Sequence, residues 1–182
     1  MRPSALLLLV ALAACASGSG SGSPSRPETM RINGGSGSSV GQVSIVASNG
    51  TSVKRVAYPL DQVWRALPGV FDSLKVPLTT VDPSRHLIGN EGMKIRQKLG
   101  AVSLSQYLDC GQAQIGPSAD TYDVFLSVVT TLRSTSPTET ELSTTVESAA
   151  KPLAFGQEYS RCTSKGAIET NLVSILNARL AK

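Results

Sequence analysis

A chain of 182 residues with 41% hydrophobic and 16% charged residues fits one folded domain plus appendages. That composition excludes both a polar disordered chain and a multi-span membrane protein. Lys and Arg number 17 against 13 Asp and Glu, a formal +4 spread too thinly for nucleic-acid binding, while one histidine and three cysteines leave little material for a metal centre or a Ser-His-Asp set.

Met1-Arg2-Pro3-Ser4 leads into the apolar run Ala5–Leu12 and then Ala13-Ala14-Cys15. The run is shorter than the about 20 residues needed to span a bilayer. It has the size of the apolar core of a secretory signal. Leu12-Ala13-Ala14-Cys15 resembles the lipobox of bacterial lipoproteins. That resemblance implies a signal peptide over residues 1–14, cleavage after Ala14, a lipid on the Cys15 thiol and an acyl chain (palmitate in kind) on the new N-terminus. Two or three such chains hold far more firmly than one, at about 0.8 kcal/mol per buried CH2. Ala16 in place of an aspartate implies, by the same resemblance, the outer membrane rather than retention at the inner one. Residues 15–40, rich in Ser and Gly, have almost nothing to bury and read as a flexible tether. Roughly 23 residues of this kind span about 25–30 Å.

Residues 41–182 read as a single domain with one core. Gln42 to Ser48 alternates as a strand, Asn49-Gly50 supplies a two-residue hairpin turn, and Thr51 to Tyr58 returns. After Pro59, the spacing of Leu60, Val63, Trp64, Leu67, Val70, Phe71 and Leu74 predicts a helix. Pro68 should kink or break that helix, and Pro77 should mark its end. Leu78 to Val81 is a short strand and Asp82-Pro83-Ser84-Arg85 a turn. His86 to Lys98 continues as a strand, with Leu87, Met93, Ile95 and Leu99 on one face and Lys94, Arg96 and Lys98 on the other. Beyond an irregular stretch, Thr121 to Leu132 is the clearest strand, with Tyr122, Val124, Leu126, Val128 and Leu132 inward. Thr138 to Ala149 follows, with Leu142 and Val146 in and Glu139, Glu141 and Glu147 out. A last helix starts near Thr163 or Ser164, either a suitable N-cap, and carries Ile168, Leu172, Ile175, Leu176 and Leu180 on one stripe.

This order predicts an α+β fold, an antiparallel sheet of about six strands packed by two helices. Leu60 to Leu67 and Leu78 to Ile88 together resemble the modules of the C lipoprotein of the outer-membrane β-barrel assembly machinery: a Trp-bearing helix, a strand, an acidic turn and a second strand. The resemblance covers some thirty residues and implies a helix-grip-like fold. The chain has room for one such module, whereas that lipoprotein has two.

With Cys15 assigned to lipid by its own resemblance, Cys110 and Cys162 remain as an even pair in an oxidising compartment, which argues for a disulfide. Closing a loop of about 50 residues stabilises by roughly 4 kcal/mol in the chain-entropy account. Lys94, Arg96 and Lys98 present either a patch for anionic headgroups or an acidic partner, or a solvated face that protects a sheet edge. Tyr107 and Asp109 lie in a long connection, Tyr107–Asp120, that offers a second contact surface. His86, the sole imidazole, reads as a strand-start residue, and Trp64 as core. No metal site, cofactor loop or paired catalytic carboxylates can be found, so no cofactor is expected and an enzyme is disfavoured. The expectation is a lipid-anchored binding or scaffold protein on the periplasmic face of the outer membrane. It would be held to the membrane by its N-terminal lipid and serve as an accessory of an envelope complex with a protein partner. The alternative is a carrier of a small amphiphile such as a lipid, with a cavity between helix and sheet.

Overall fold

The computed structural model describes residues 28–30, 43–45, 50–153 and 158–181. The fold is α+β: a seven-stranded antiparallel sheet, not closed into a barrel, with its two long helices on one face. In chain order the head runs β1 (Thr51–Val56), α1 (Leu60–Ser73), β2 (Thr80–Asp82), β3 (Leu87–Arg96), β4 (Leu108–Asp109), the single turn α2 (Ser118–Thr121), β5 (Asp123–Ser136), β6 (Glu139–Lys151), β7 (Ser160–Ser164) and α3 (Ala167–Leu180). The strands lie in the order β2-β3-β5-β6-β7-β4, and β1 also pairs with β6.

The long β5–β6 hairpin is the centre of the sheet. Its strict alternation puts Val124, Leu126, Val128 and Leu132 on the helix side, facing Leu142, Val146 and Ala150 across the ladder. Buried Thr130 and Thr144 on that side share a hydrogen bond of 3.0 Å, so neither hydroxyl is left unpaired. One edge of β6 is divided between two strands. Thr140–Thr145 pairs with β1, and Ser148–Ala150 pairs with β7.

Helix α1 runs through Pro68 to Ser73 without ending at Leu67. Pro68 lies on the exposed side, while Val63, Leu67, Val70 and Phe71 are fully buried, and that burial outweighs the lost backbone bond. The helix stops where Lys75 turns left-handed (φ 61°). There Val76 N donates to Phe71 O and Lys75 N to Asp72 O, which satisfies the last carbonyls before Pro77 is reached. Helix α3 starts at Ala167, later than expected, because Thr163 and Ser164 still belong to β7 and Gly166 makes the left-handed bend (φ 76°) into the helix. Ile168, Leu172 and Leu176 are fully buried. Helices α1 and α3 also touch through Arg179, which donates to Ser73 Oγ at 2.9 Å. Gly69 makes room for it, since a Cβ there would sit 2.7 Å from Arg179 Nη1.

Three further expectations are corrected. Val43–Ile45 pairs with Glu28–Met30, inside the expected tether, whereas β1 pairs with β6; the turn residue Asn49 lies outside the described residues. A ladder depends on distant chain, so local alternation finds a strand without finding its partner. In β3 a bulge changes the inward set. Asn90 faces Val128 and Met93 faces Leu126, three positions matched to two. Ile88 and Asn90 point inward before the bulge and Met93 and Ile95 after it, which removes Leu87 from the inward face. Finally, β4 and β7 join the sheet, although neither was expected as a strand.

Cys110 and Cys162 form a disulfide with an S–S distance of 2.04 Å, bonding the residue after β4 to β7. No helix among the described residues is long and apolar enough to cross a membrane. Cys15, the signal segment and most of the tether lie outside the described residues.

Candidate functional site

Among the described residues the helices cover one face of the sheet, so the sites considered for a partner are the other face, its edges and its loops. The Tyr107–Asp120 connection is tied down along its length. Tyr107 is buried in the core, which removes its side chain as a contact residue. Its carbonyl accepts from Lys165 N at 2.8 Å. Asp109 is exposed, but its Oδ1 accepts from Gly111 N at 3.0 Å, and Asp120 Oδ1 accepts from Ser105 N at 2.8 Å. These bonds, one local and two to more distant chain, make the connection an ordered surface.

The basic stripe expected on β3 is broken. Gln97 is left-handed (φ 63°), ending β3 at Arg96, and Lys98 belongs to a separate two-residue ladder opposite Ser103. Lys94 and Arg96 remain on the open face, but their neighbours are now set by strand register. Lys94 lies opposite Phe125, Phe125 opposite Ala149, and Ala149 opposite Arg161. In the next row Arg96 lies opposite Asp123, and Asp123 opposite Lys151. Opposed residues of antiparallel strands share a face, so Lys94, Arg96, Lys151 and Arg161 gather at one end of the sheet.

An aromatic pair sits among these cations. Phe125 is 8% exposed, and Tyr159 meets it edge-on, with ring centroids 4.9 Å apart. Lys151 Nζ stands 5.3 Å from the Tyr159 ring centroid, within cation–π range. Lys94 Nζ bonds Asp123 Oδ2 at 2.6 Å, and that bond holds the Lys94 ammonium above its ordinary pKa. Burial pushes the Tyr159 phenol up as well.

At the opposite end of the same face, Glu141 accepts from Arg133 Nη2 at 2.8 Å and from Arg55 Nε at 3.3 Å, and Glu139 lies 4.0 Å from Arg55. The Arg133 bond, followed by the Arg55 bond, keeps the Glu141 carboxyl below the usual range. Between the two ends, where β1 and β7 part along β6, lies a cleft of about 210 Å³. It is lined by Gly50, Thr51, Glu147, Arg161, Thr163 and Glu169 among others. The Glu169 carboxylate is buried and accepts from Ser164 Oγ at 2.9 Å. This volume is below the 300 Å³ or so of a typical small-molecule pocket.

The segment that carries the resemblance is held by local chemistry. Asp82 Oδ1 accepts from Ser84 N, Ser84 Oγ and Arg85 N, and Oδ2 accepts from Arg85 Nε at 2.6 Å. The Ser84 hydroxyl, then the Arg85 bonds, depress the Asp82 carboxyl far below the usual range. His86 is left-handed (φ 48°) and packs edge-on against the half-buried Trp64, with centroids 5.5 Å apart. Among the described residues, no three His, Cys, Asp or Glu side chains converge on a position for a metal ion.

Sequence reading reached Lys94 and Arg96 but missed Phe125, Lys151, Tyr159 and Arg161. Extending the outward set Glu139, Glu141 and Glu147 by two further steps would have reached Lys151. Arg161 carried no such signal, because β7 was not legible as a strand. The chain matches no family model and no curated protein.

Proposed function

We propose that this chain is a lipid-anchored binding protein of the bacterial envelope. It would be fixed through Cys15 to the periplasmic face of the outer membrane and serve as an accessory to an envelope complex. The observation that carries the reading is Leu12-Ala13-Ala14-Cys15 placed directly after an apolar run. A Ser/Gly-rich stretch and a disulfide-bonded head following it support export to an oxidising compartment. Tethering raises the effective concentration of a weakly binding head near membrane partners.

The reading is of a binder, not an enzyme, and not a carrier of a small amphiphile. Space between helices and sheet is taken by Leu67, Phe71, Leu126, Leu172 and Leu176, each with 0% exposure. That filled layer favours recognition on the surface over cargo held inside.

Cell fractionation tests the anchor. The native chain should pellet with membranes after a high-salt wash and carry a mass increment on the peptide that begins at Cys15. Cys15→Ser should move the protein to the soluble fraction. Retention of that variant in the washed pellet would overturn the reading.

A further inference from the structure

The outer edges of the sheet are finished differently. On one side lies β2, three residues long, and β3 behind it is interrupted by a bulge. Short edge strands and bulges both discourage pairing with another chain. On the other side β1 runs Thr51-Ser52-Val53-Lys54-Arg55-Val56, with no Pro, no Gly and no break in its register with β6. Among the described residues no strand pairs with the second edge of β1, so its outward N–H and C=O groups form a template for a further strand. The stretch that precedes β1 is engaged elsewhere, since Val43–Ile45 pairs with Glu28–Met30.

The charges of β1 do little to close this edge. Arg55 is taken up within the chain by Glu141 at 3.3 Å and Glu139 at 4.0 Å, which leaves Lys54 as the edge charge. Val53, in the middle of the strand and opposite Ser143, is 54% exposed. An exposed β-branched side chain at the centre of an edge is the reverse of the blocking pattern.

The strand also fits itself. Two copies related by a two-fold axis can pair antiparallel, and residues directly opposite then point to the same face. Centred on Val53, this sets Val53 against the second copy's Val53, Thr51 against its Arg55 and Ser52 against its Lys54. No like charges are directly opposed. The two Lys54 stand on a diagonal, about 7–8 Å apart at the backbone. The register centred on Lys54 overlaps as far but sets lysine against lysine, and registers centred further along pair fewer residues.

We propose that β1 pairs edge to edge with β1 of a second copy of this chain, joining two sheets into one around a Val53–Val53 contact. The contact needs no anchor, so it stands or falls apart from the binding-protein reading. Anchoring two copies to one membrane would raise their local concentration and favour it.

The experiment uses the full-length chain as Cys15→Ser with the Cys110–Cys162 bond intact. Sedimentation up to about 1 mM, the order of effective concentration that a tether supplies, should show a monomer–dimer equilibrium. Val53→Lys sets like charges on the axis and should weaken the dimer about tenfold. Val81→Lys, at nearly the same exposure on the other edge, should change it by less than about twofold. Lys54→Thr removes the diagonal repulsion and should strengthen the dimer. Under mild oxidation Val53→Cys should crosslink to its own copy, because opposed Cβ atoms lie about 4.5–5.5 Å apart. Thr51→Cys, offset from its own copy by about 13 Å along the strand, should not crosslink. This pair of variants reads the register even if Val53→Lys fails to fold. A monomer at every concentration, an equal loss in Val81→Lys, or Thr51→Cys crosslinking as readily as Val53→Cys would overturn the proposal. So would a dimer without the Val53→Cys crosslink, which would assign association to β1 exchanging onto β6 of the second copy.

Discussion

At the Arg55 end of the open face, Arg55, Arg133, Glu139 and Glu141 neutralise one another across three strands. At the Lys94 end, the same sheet gathers Lys94, Arg96, Lys151 and Arg161 beside Asp123 and an aromatic pair. Both ends use the same cross-strand geometry, so geometry is not the source of the difference. The first arrangement completes itself and stiffens the sheet. The second holds Lys94 on a carboxylate and Lys151 over an aromatic ring, so the two ends of one sheet fix their charges by different means.

The largest expected effect strikes the scaffold under the charged end. Cys110→Ser with Cys162→Ser opens a loop whose ends are 52 positions apart and should cost about 4 kcal/mol, seen as a lower denaturant midpoint with a steeper slope, because the unfolded chain is no longer held compact. Arg161 is next to Cys162 in β7, so the basic end should loosen first. Hydrogen exchange in β7 faster than in β1 would show this, and equal exchange would remove the asymmetry between the ends.

Phe125→Ala should come next, at about 2–3 kcal/mol, below a fully enclosed core phenylalanine because the ring lies on the open face. The informative readout is Tyr159, whose phenol should fall back toward its ordinary pKa once the ring loses its cover. A phenol that stays raised would assign its shift to something other than Phe125.

The smallest effects are electrostatic and differ in sign of pH dependence. Glu141 has a lowered pKa, so its stabilisation is present above the ordinary carboxylate value, about 4.3, and is lost as pH falls through the lowered folded value. Glu141→Gln should therefore lower stability at neutral pH, with the gap to the native chain closing below about pH 4. Lys94 has a raised pKa, so its share is complete below the ordinary lysine value, about 10.4, and fades as pH rises through the raised one. Asp123→Asn should cost less than about 1 kcal/mol near neutrality, since the Lys94 partner is largely exposed, with its gap closing on the alkaline side. Melting temperatures across pH for both variants would check this, and parallel curves would break the comparison.

What could be read beforehand follows the range of each interaction. Helix stripes such as Ile168, Leu172 and Leu176, the alternation of Val124 to Leu132, and the cysteine pair are local or arithmetic signals, and the structure has all three. The open-face site depends on features that local pattern does not carry. One extra residue between Asn90 and Met93 reverses parity, left-handed Gln97 removes Lys98 from the row, and Arg161 enters it only because β7 pairs with β6. Burial of Tyr107 was likewise hidden, since a lone aromatic in an irregular stretch has no periodicity to show its direction.

The shared edge of β6 has a consequence for the order of events in folding. Thr51 and Thr145 are bonded side chain to side chain across 94 positions, so β1 is made early in synthesis and has no partner until the hairpin that contains β6 is complete. Such late, non-local closure slows folding. Until it occurs, the β6 edge is a bare template for other strands, including a neighbouring copy's β1. Slow refolding of the head, with yield falling as protein concentration rises, would be the kinetic signature of a single strand that serves both ends of the chain.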